Sequence, residues 1–251
     1  MRFHNPYIYP GVRLQARLGR RLDERDWQRL GSVRDAQHLI DSLLQTPAAG
    51  WVRGLDSGSS AELAEQQLKL RAGEQIEAIA RWYPRPWRAA IRWSRTLLWL
   101  DTLRRQQTAL GTGDLLQLAP TPLEPLAGHE DETALKHLRE TDFAPLLPAL
   151  NAGENLYPAW YAHWLGLWPE PDRTLQRHLA DVGRRLRRAH YAVSHGEQDP
   201  AVASMLLLRP LHQHPFTPVA PFAYLAIQAL DLTGVRRLLV DRLLFAHAEA
   251  A

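Results

Sequence analysis

Cysteine is absent from the 251 residues. That excludes disulfides, thiolate nucleophiles and cysteine-ligated zinc or iron–sulfur sites. No apolar run approaches the roughly 20 residues that span a bilayer. The longest, Pro218 to Ile227, is about half that and carries prolines. The opening residues, MRFHNPYIYPGVR, lack the apolar core of a signal peptide. The expectation is a soluble, cytoplasmic chain whose membrane role, where it has one, is peripheral. Strand-like alternation is missing throughout, as are HExxH, a nucleophile elbow and a dinucleotide fingerprint. Asp56-Ser57-Gly58-Ser59-Ser60 lacks the lysine and spacing of a phosphate loop and reads as a turn with an N-cap. Lysine is scarce too: Lys69 and Lys136 are the only two.

What is present is a helical composition. Leucine, alanine, arginine, glutamine and glutamate dominate, and all favour helix. The apolar share of 45% and the length suit a globular chain with a large core. Net charge is +3, with arginine supplying nearly all the positive charge; its planar fork suits carboxylates and phosphates. Arginines cluster at Arg17, Arg20, Arg21 and Arg25, and again at Arg184, Arg185, Arg187 and Arg188.

The spacing predicts a helix over Val33 to Leu44 capped by Ser32, and a longer one from Ser60 to about Trp82. After Pro84 and Pro86 comes a helix from Trp87 to about Leu110, with Ile91, Leu98 and Trp99 inside, closed by Gly111-Thr112-Gly113. Leu118 to Gly128 is proline-rich and reads as a connector. Asp172 to about His195 is the cleanest amphipathic helix, with Leu175, Leu179, Val182, Leu186 and Val193 inside, Gly196 as its stop and Pro200 opening the next stretch. Pro221 to Phe245 holds two apolar stripes with a short break between them.

The word Asp35-x-x-x-Leu39-Ile40-x-x-Leu43 recurs as Asp142-x-x-x-Leu146-Leu147-x-x-Leu150. Each copy precedes an aromatic, Trp51 or Tyr157, then a long amphipathic helix and, after prolines, another helical segment. The order points to an internal duplication: a first lobe at 1–117, a connector at 118–130 and a second lobe at 131–251. Trp82, Trp87, Trp93 and Trp99, and Trp160, Trp164 and Trp168 at steps of four, read as core. His212-Gln213-His214 reads as loop and packing histidines rather than a metal site, since zinc wants three or four protein ligands. Glu130-Asp131-Glu132 serves a helix dipole. No metal, cofactor or catalytic residue is assigned, and the chain is read as non-catalytic.

These words carry a resemblance. Tyr7-Ile8-Tyr9-Pro10-Gly11-Val12-Arg13 resembles the Y-x-N-A-R-V-R opening of the C/d-type central-stalk proteins of V-type and A-type rotary ATPases. It keeps Tyr7, Val12 and Arg13, and departs at Tyr9 for asparagine and Gly11 for arginine. Arg20-Arg21-Leu22 through Asp26-Trp27 looks like the basic, leucine-rich continuation, and Asp35 to Trp51 with Thr46 like the following repeat. Leu97 to Arg105 stands where the family has N-L-x-x-L-L, with Thr96 in place of the asparagine. The closing order is similar too: a small-residue helix after Pro221, an acidic residue, Arg236-Arg237, then Leu238-Leu239.

The resemblance implies an all-α fold of repeated helical bundles forming a funnel or open cup. This chain supplies two bundles where the family commonly has three. It implies a central-stalk adaptor between the rotor shaft and the membrane proteolipid ring, transmitting torque in proton or sodium transport. No cofactor and no nucleic acid belong to that role. Arg13, Arg104, Arg105, Arg236 and Arg237 are the expected partner-interface residues, because both lobe-ending helices carry an arginine pair. The alternative reading is an arginine-rich helical nucleic-acid binder working through Arg184 to Arg188. Against it stand the modest net charge and the lack of a helix-turn-helix signal.

Overall fold

A computed structural model describes residues 5–104, 138–169 and 172–250, without the side chains of 194 and 245–250. Arg105, Gly111-Thr112-Gly113, the 118–130 connector and Glu130-Asp131-Glu132 lie outside the described residues. Those residues are helical throughout, with no strand among them. No helix is long and apolar enough to cross a membrane among them. They form two compact units, one of 1–85 with 170–251 and one of 86–169. The first is therefore assembled from both ends of the chain, whereas the expected lobes followed one another along it.

In the first unit the helices are α1 (Ile8–Leu18), α2 (Glu24–Ser32), α3 (Ala36–Leu44), α4 (Ala49–Val52) and α5 (Ala61–Trp82). After 170 come α9 (Arg173–Ser194), α10 (Pro200–Gln213) and α11 (Val219–Ala250). The long α11 is the spine, and α1, α3, α5, α9 and α10 all pack on it. Its buried side chains Ile227, Leu230, Val235, Leu239 and Leu243 repeat at helical spacing. Several starts follow from side-chain caps. Ser60 Oγ accepts from the backbone N–H of Leu63, and Asp172 from that of Thr174. Gly196 at φ +71° stops α9.

Three expectations need correction. Ser32 is not a cap: it ends α2, donating to the Arg29 carbonyl, and Asp35 caps α3 by accepting from the His38 N–H. Ser32 is taken up by the end of α2, and Val33 and Arg34 separate it from the cap of α3. The break expected between Pro221 and Phe245 is absent, because α11 is continuous. Thr233 turns its hydroxyl onto the Ala229 carbonyl within the helix. Gly234, inside this helix, lets Trp27 and Pro200 approach; an added Cβ would stand 2.5 Å from Pro200 Cγ and 2.7 Å from Trp27 Cη2. His212 and Gln213 belong to the end of α10 rather than to a loop.

The second unit holds most of α6 (Arg85–Trp93), a 3-10 turn at Ser94–Trp99, a helical stretch over 100–104, a second 3-10 turn at Ala144–Leu146, α7 (Leu147–Asn151) and α8 (Leu156–Gly166). The single helix expected from Trp87 is interrupted where the Thr96 hydroxyl donates to the Trp93 carbonyl, 2.7 Å away, and the turn tightens. Ile91 and Trp99 are buried, and Leu98 is half-buried.

Tryptophan builds this core. Trp160 stacks on Trp164 at 5.6 Å, and Trp164 meets Trp168 edge-on at 5.0 Å. Trp93 lies parallel to Trp160 at 6.4 Å. Trp93 Nε1 donates to the Trp160 carbonyl, and Trp160 Nε1 donates to Thr96 Oγ1, so these two buried indoles keep their hydrogen bonds. The two copies of the repeated word differ in form. Asp35 caps a nine-residue helix, whereas Asp142 pairs with Arg95 and precedes a short 3-10 turn and α7. Pro145 and Pro148 account for the shorter pieces.

Candidate functional site

The exposed side of α1 has the composition of a contact surface. Ile8 and Tyr9, and Val12 one helical turn on, are 45%, 63% and 55% exposed. Beside them the Arg13 guanidinium lies over the Trp82 ring, 4.1 Å from its centroid, and donates to Tyr9 Oη at 2.8 Å. Arg17, one turn on, covers the same indole at 4.5 Å. Neither arginine meets a carboxylate among the described residues. The cluster is thus two cations held in place by an aromatic platform at the end of α5, next to an apolar strip. Tyrosine, tryptophan and arginine are the residues that dominate binding at interfaces.

Beneath this surface lies a feature that sequence reasoning missed. Arg21, in the turn after α1, donates from Nε and Nη2 to both carboxylate oxygens of Asp231 in α11, at 2.9 and 2.8 Å. Arg21 Nη1 donates to Ser204 Oγ of α10 at 2.9 Å. The Asp231 side chain is 3% exposed. Burial pushes its carboxyl above the ordinary range, against the pull of Arg21. Burial likewise pushes the Tyr224 hydroxyl up, where it meets Arg17. One signal was available: Asp231 is the only charged residue between Pro221 and Val235, and a lone charge on an apolar stripe needs a partner.

The other expected interface residues are placed as follows. Arg236 reaches across to Glu65 of α5, with Nη2 2.6 Å from Oε2, and Lys69 binds the same carboxylate at 2.7 Å. Arg237 Nη1 donates to the Val193 carbonyl at 3.3 Å and passes over Gly196, where a Cβ would come within 2.6 Å of it. Both therefore tie α11 to its neighbours. Arg104 lies exposed in the second unit, and Arg105 is not described.

Burial raises the Glu65 carboxyl, but Lys69 and Arg236 overcome it and hold it at about 2. A carboxylate whose folded value lies below the unfolded one adds stability above the unfolded value and loses it as pH falls through the folded one. Glu65→Gln is expected to remove that part of the acid limb. Between pH 4.5 and 2 its thermal midpoint should fall less steeply than that of the native chain. An unchanged slope in a pH series of melting curves would show that the triad contributes nothing.

His178 and His214 lie with ring centroids 4.1 Å apart and tilted by 43°, and burial, then the neighbouring His178, pushes the His214 imidazole down. No group of three or more histidine, aspartate or glutamate side chains placed to hold a metal occurs among the described residues. An open groove of about 580 Å³ runs between the turn after α1 and α10, lined by Leu18, Arg21, Asp23, Val202, Met205 and His212. It offers no nucleophile with an adjacent base. Compared with known proteins, the chain matches no family model, no curated protein and no solved structure.

Proposed function

We propose that this chain is a central-stalk adaptor of a V-type or A-type rotary ATPase, a shortened relative of the C/d-type proteins. In this reading it joins the rotor shaft to the proteolipid ring and acts by rigid contact. The observation that supports it most is the Arg21–Asp231 pair. Arg21 belongs to the basic continuation that follows the opening word resembling the family, and Asp231 is the acidic residue of the closing segment. The two residues lie 210 positions apart, yet one buried bidentate bond joins them. An element that passes torque needs such cross-links between its first and last helices, because sliding between them would dissipate it.

The reading includes two pseudo-repeated bundles arranged as an open cup, and a cytoplasmic position against the inner membrane face. Arg13 leads its interface, with Tyr9, Val12 and Ile8 around it, and Arg104, Arg105, Arg236 and Arg237 at further contacts. The test is co-purification of the tagged chain with shaft and ring proteins expressed beside it. Recovery of both is expected, with Arg13→Glu lowering shaft or ring recovery about tenfold, the loss of one anchor of roughly 1.4 kcal/mol. Recovery of neither protein by the native chain would refute the assignment.

A further inference from the structure

The net positive charge of this protein comes from one helix. Of its 30 basic and 27 acidic residues, α9 carries six arginines and one aspartate, so the rest of the chain is net negative by two. Arg173, Arg177, Arg184 and Arg188 follow one another at steps of four, seven and four, and Tyr191 continues the row three residues on. Those steps place all five on one face of a straight helix, and all five are exposed. The row is about 27 Å long. Arg184 leans toward Asp181 at 3.3 Å. Arg173, Arg177 and Arg188 meet no carboxylate among the described residues. The opposite face, with Leu179, Val182, Ala189 and Val193, is buried.

The neighbouring helix adds an apolar edge. Arg185, at the border of the row, donates from Nη1 to the Leu206 carbonyl of α10 at 3.1 Å. Around that point α10 exposes Val202, Met205 and Leu206, at 41%, 66% and 37%. These three sit at helical spacing, so a cationic row and an aliphatic ridge run on adjacent helices.

We propose that the α9–α10 surface docks onto an anionic phospholipid membrane face, with the arginines on headgroup phosphates and Met205, Leu206 and Val202 entering the headgroup–acyl boundary. A straight, solvent-facing row suits a flat charged layer, and arginine stems let the guanidinium stay at phosphate level while the ridge goes deeper. Nucleic acid would meet the arginines but leave the aliphatic ridge uncovered. This contact does not depend on the adaptor reading and involves no partner protein.

The test is co-sedimentation of the full chain with vesicles of pure phosphatidylcholine or of phosphatidylcholine with phosphatidylglycerol at three to one. Binding is expected to the second only, falling at least about tenfold as sodium chloride rises from 50 to 300 mM. The triple variant Arg173→Glu, Arg177→Glu, Arg188→Glu should lose it, whereas Arg25→Glu, Arg34→Glu, Arg53→Glu, an equal charge change elsewhere, should keep it to within about threefold. Met205→Ser with Leu206→Ser should weaken binding without changing its salt dependence. Equal binding to both vesicle types would overturn the proposal. So would an equal loss in the two triple variants, no binding at 50 mM salt, or binding to a labelled single-stranded RNA but not to vesicles.

Discussion

Asp231→Ala is expected to lower the unfolding free energy by about 3–5 kcal/mol, the cost of leaving a buried charge without its partner. Arg21 is 11% exposed, and after the substitution it would retain only the Ser204 hydroxyl as an acceptor on this side. A guanidinium cannot shed its proton to escape, so the whole penalty falls on folding. The partner substitution should behave differently. Arg21→Ala strands a carboxylate, and burial already pushes that group up, so it can neutralise itself by taking a proton.

An acid whose folded value lies above its unfolded one is stabilising to the fold at low pH. That stability is lost as pH rises from the unfolded value through the folded one. Arg21→Ala should therefore be less harmful at pH 5 than at pH 8, while Asp231→Ala should show no such relief. The double variant Arg21→Met, Asp231→Leu should cost less than Asp231→Ala alone, because no charge is left buried. Urea unfolding followed by circular dichroism at the two pH values measures all three against the native chain. An Asp231→Ala cost within about 1 kcal/mol of zero would mean the pair is solvated, as surface ion pairs are, and would remove the support it gives to the adaptor reading.

The limits of sequence reading fall where long-range contacts decide. Periodicity reported the helices because it reports burial, and Ser60, Asp172, Gly196 and Pro200 marked ends correctly because caps and stops act within a turn. Trp160 and Trp164 were legible as core from their spacing alone, and both are buried. Periodicity does not name the opposing surface. Nothing local shows that Trp93 and Trp160 exchange hydrogen bonds 67 residues apart, or that Arg21 finds Asp231. The unbroken run of the last helix is another case: a glycine is costly inside a helix, and only the approach of Trp27 and Pro200 explains Gly234. At the candidate surface, Arg13 was legible from its word, but the Trp82 platform under it was not. Arg236 and Arg237 look like a free pair in the sequence and are occupied in the fold.

Gly11→Ala and Gly73→Ala are expected to move stability in opposite directions, although both glycines lie inside helices and both changes add one methyl. In α5, nothing stands within 4 Å of a Cβ built on Gly73. There the gain is that of helix propensity, about 0.8–1 kcal/mol in favour of alanine. In α1, a Cβ on Gly11 would stand 2.3 Å from the Pro215 carbonyl oxygen and 2.7 Å from Phe216 Cδ1. The oxygen is backbone and cannot rotate away, so α1 and the turn after α10 must separate. Overpacking of this kind costs about 1–3 kcal/mol or more, which outweighs the same propensity gain. Separation would also strain the Asn5 side-chain bond to the Phe216 carbonyl, at 3.3 Å.

α1 approaches the 215–216 turn too closely for any side chain at position 11. Gly11→Arg should then be worse than Gly11→Ala. Melting midpoints of the three variants decide it. If Gly11→Ala is as stable as Gly73→Ala, then α1 does not lie against Pro215 in solution, and the surface formed by Tyr9, Val12, Arg13 and Trp82 loses the anchor that fixes its position.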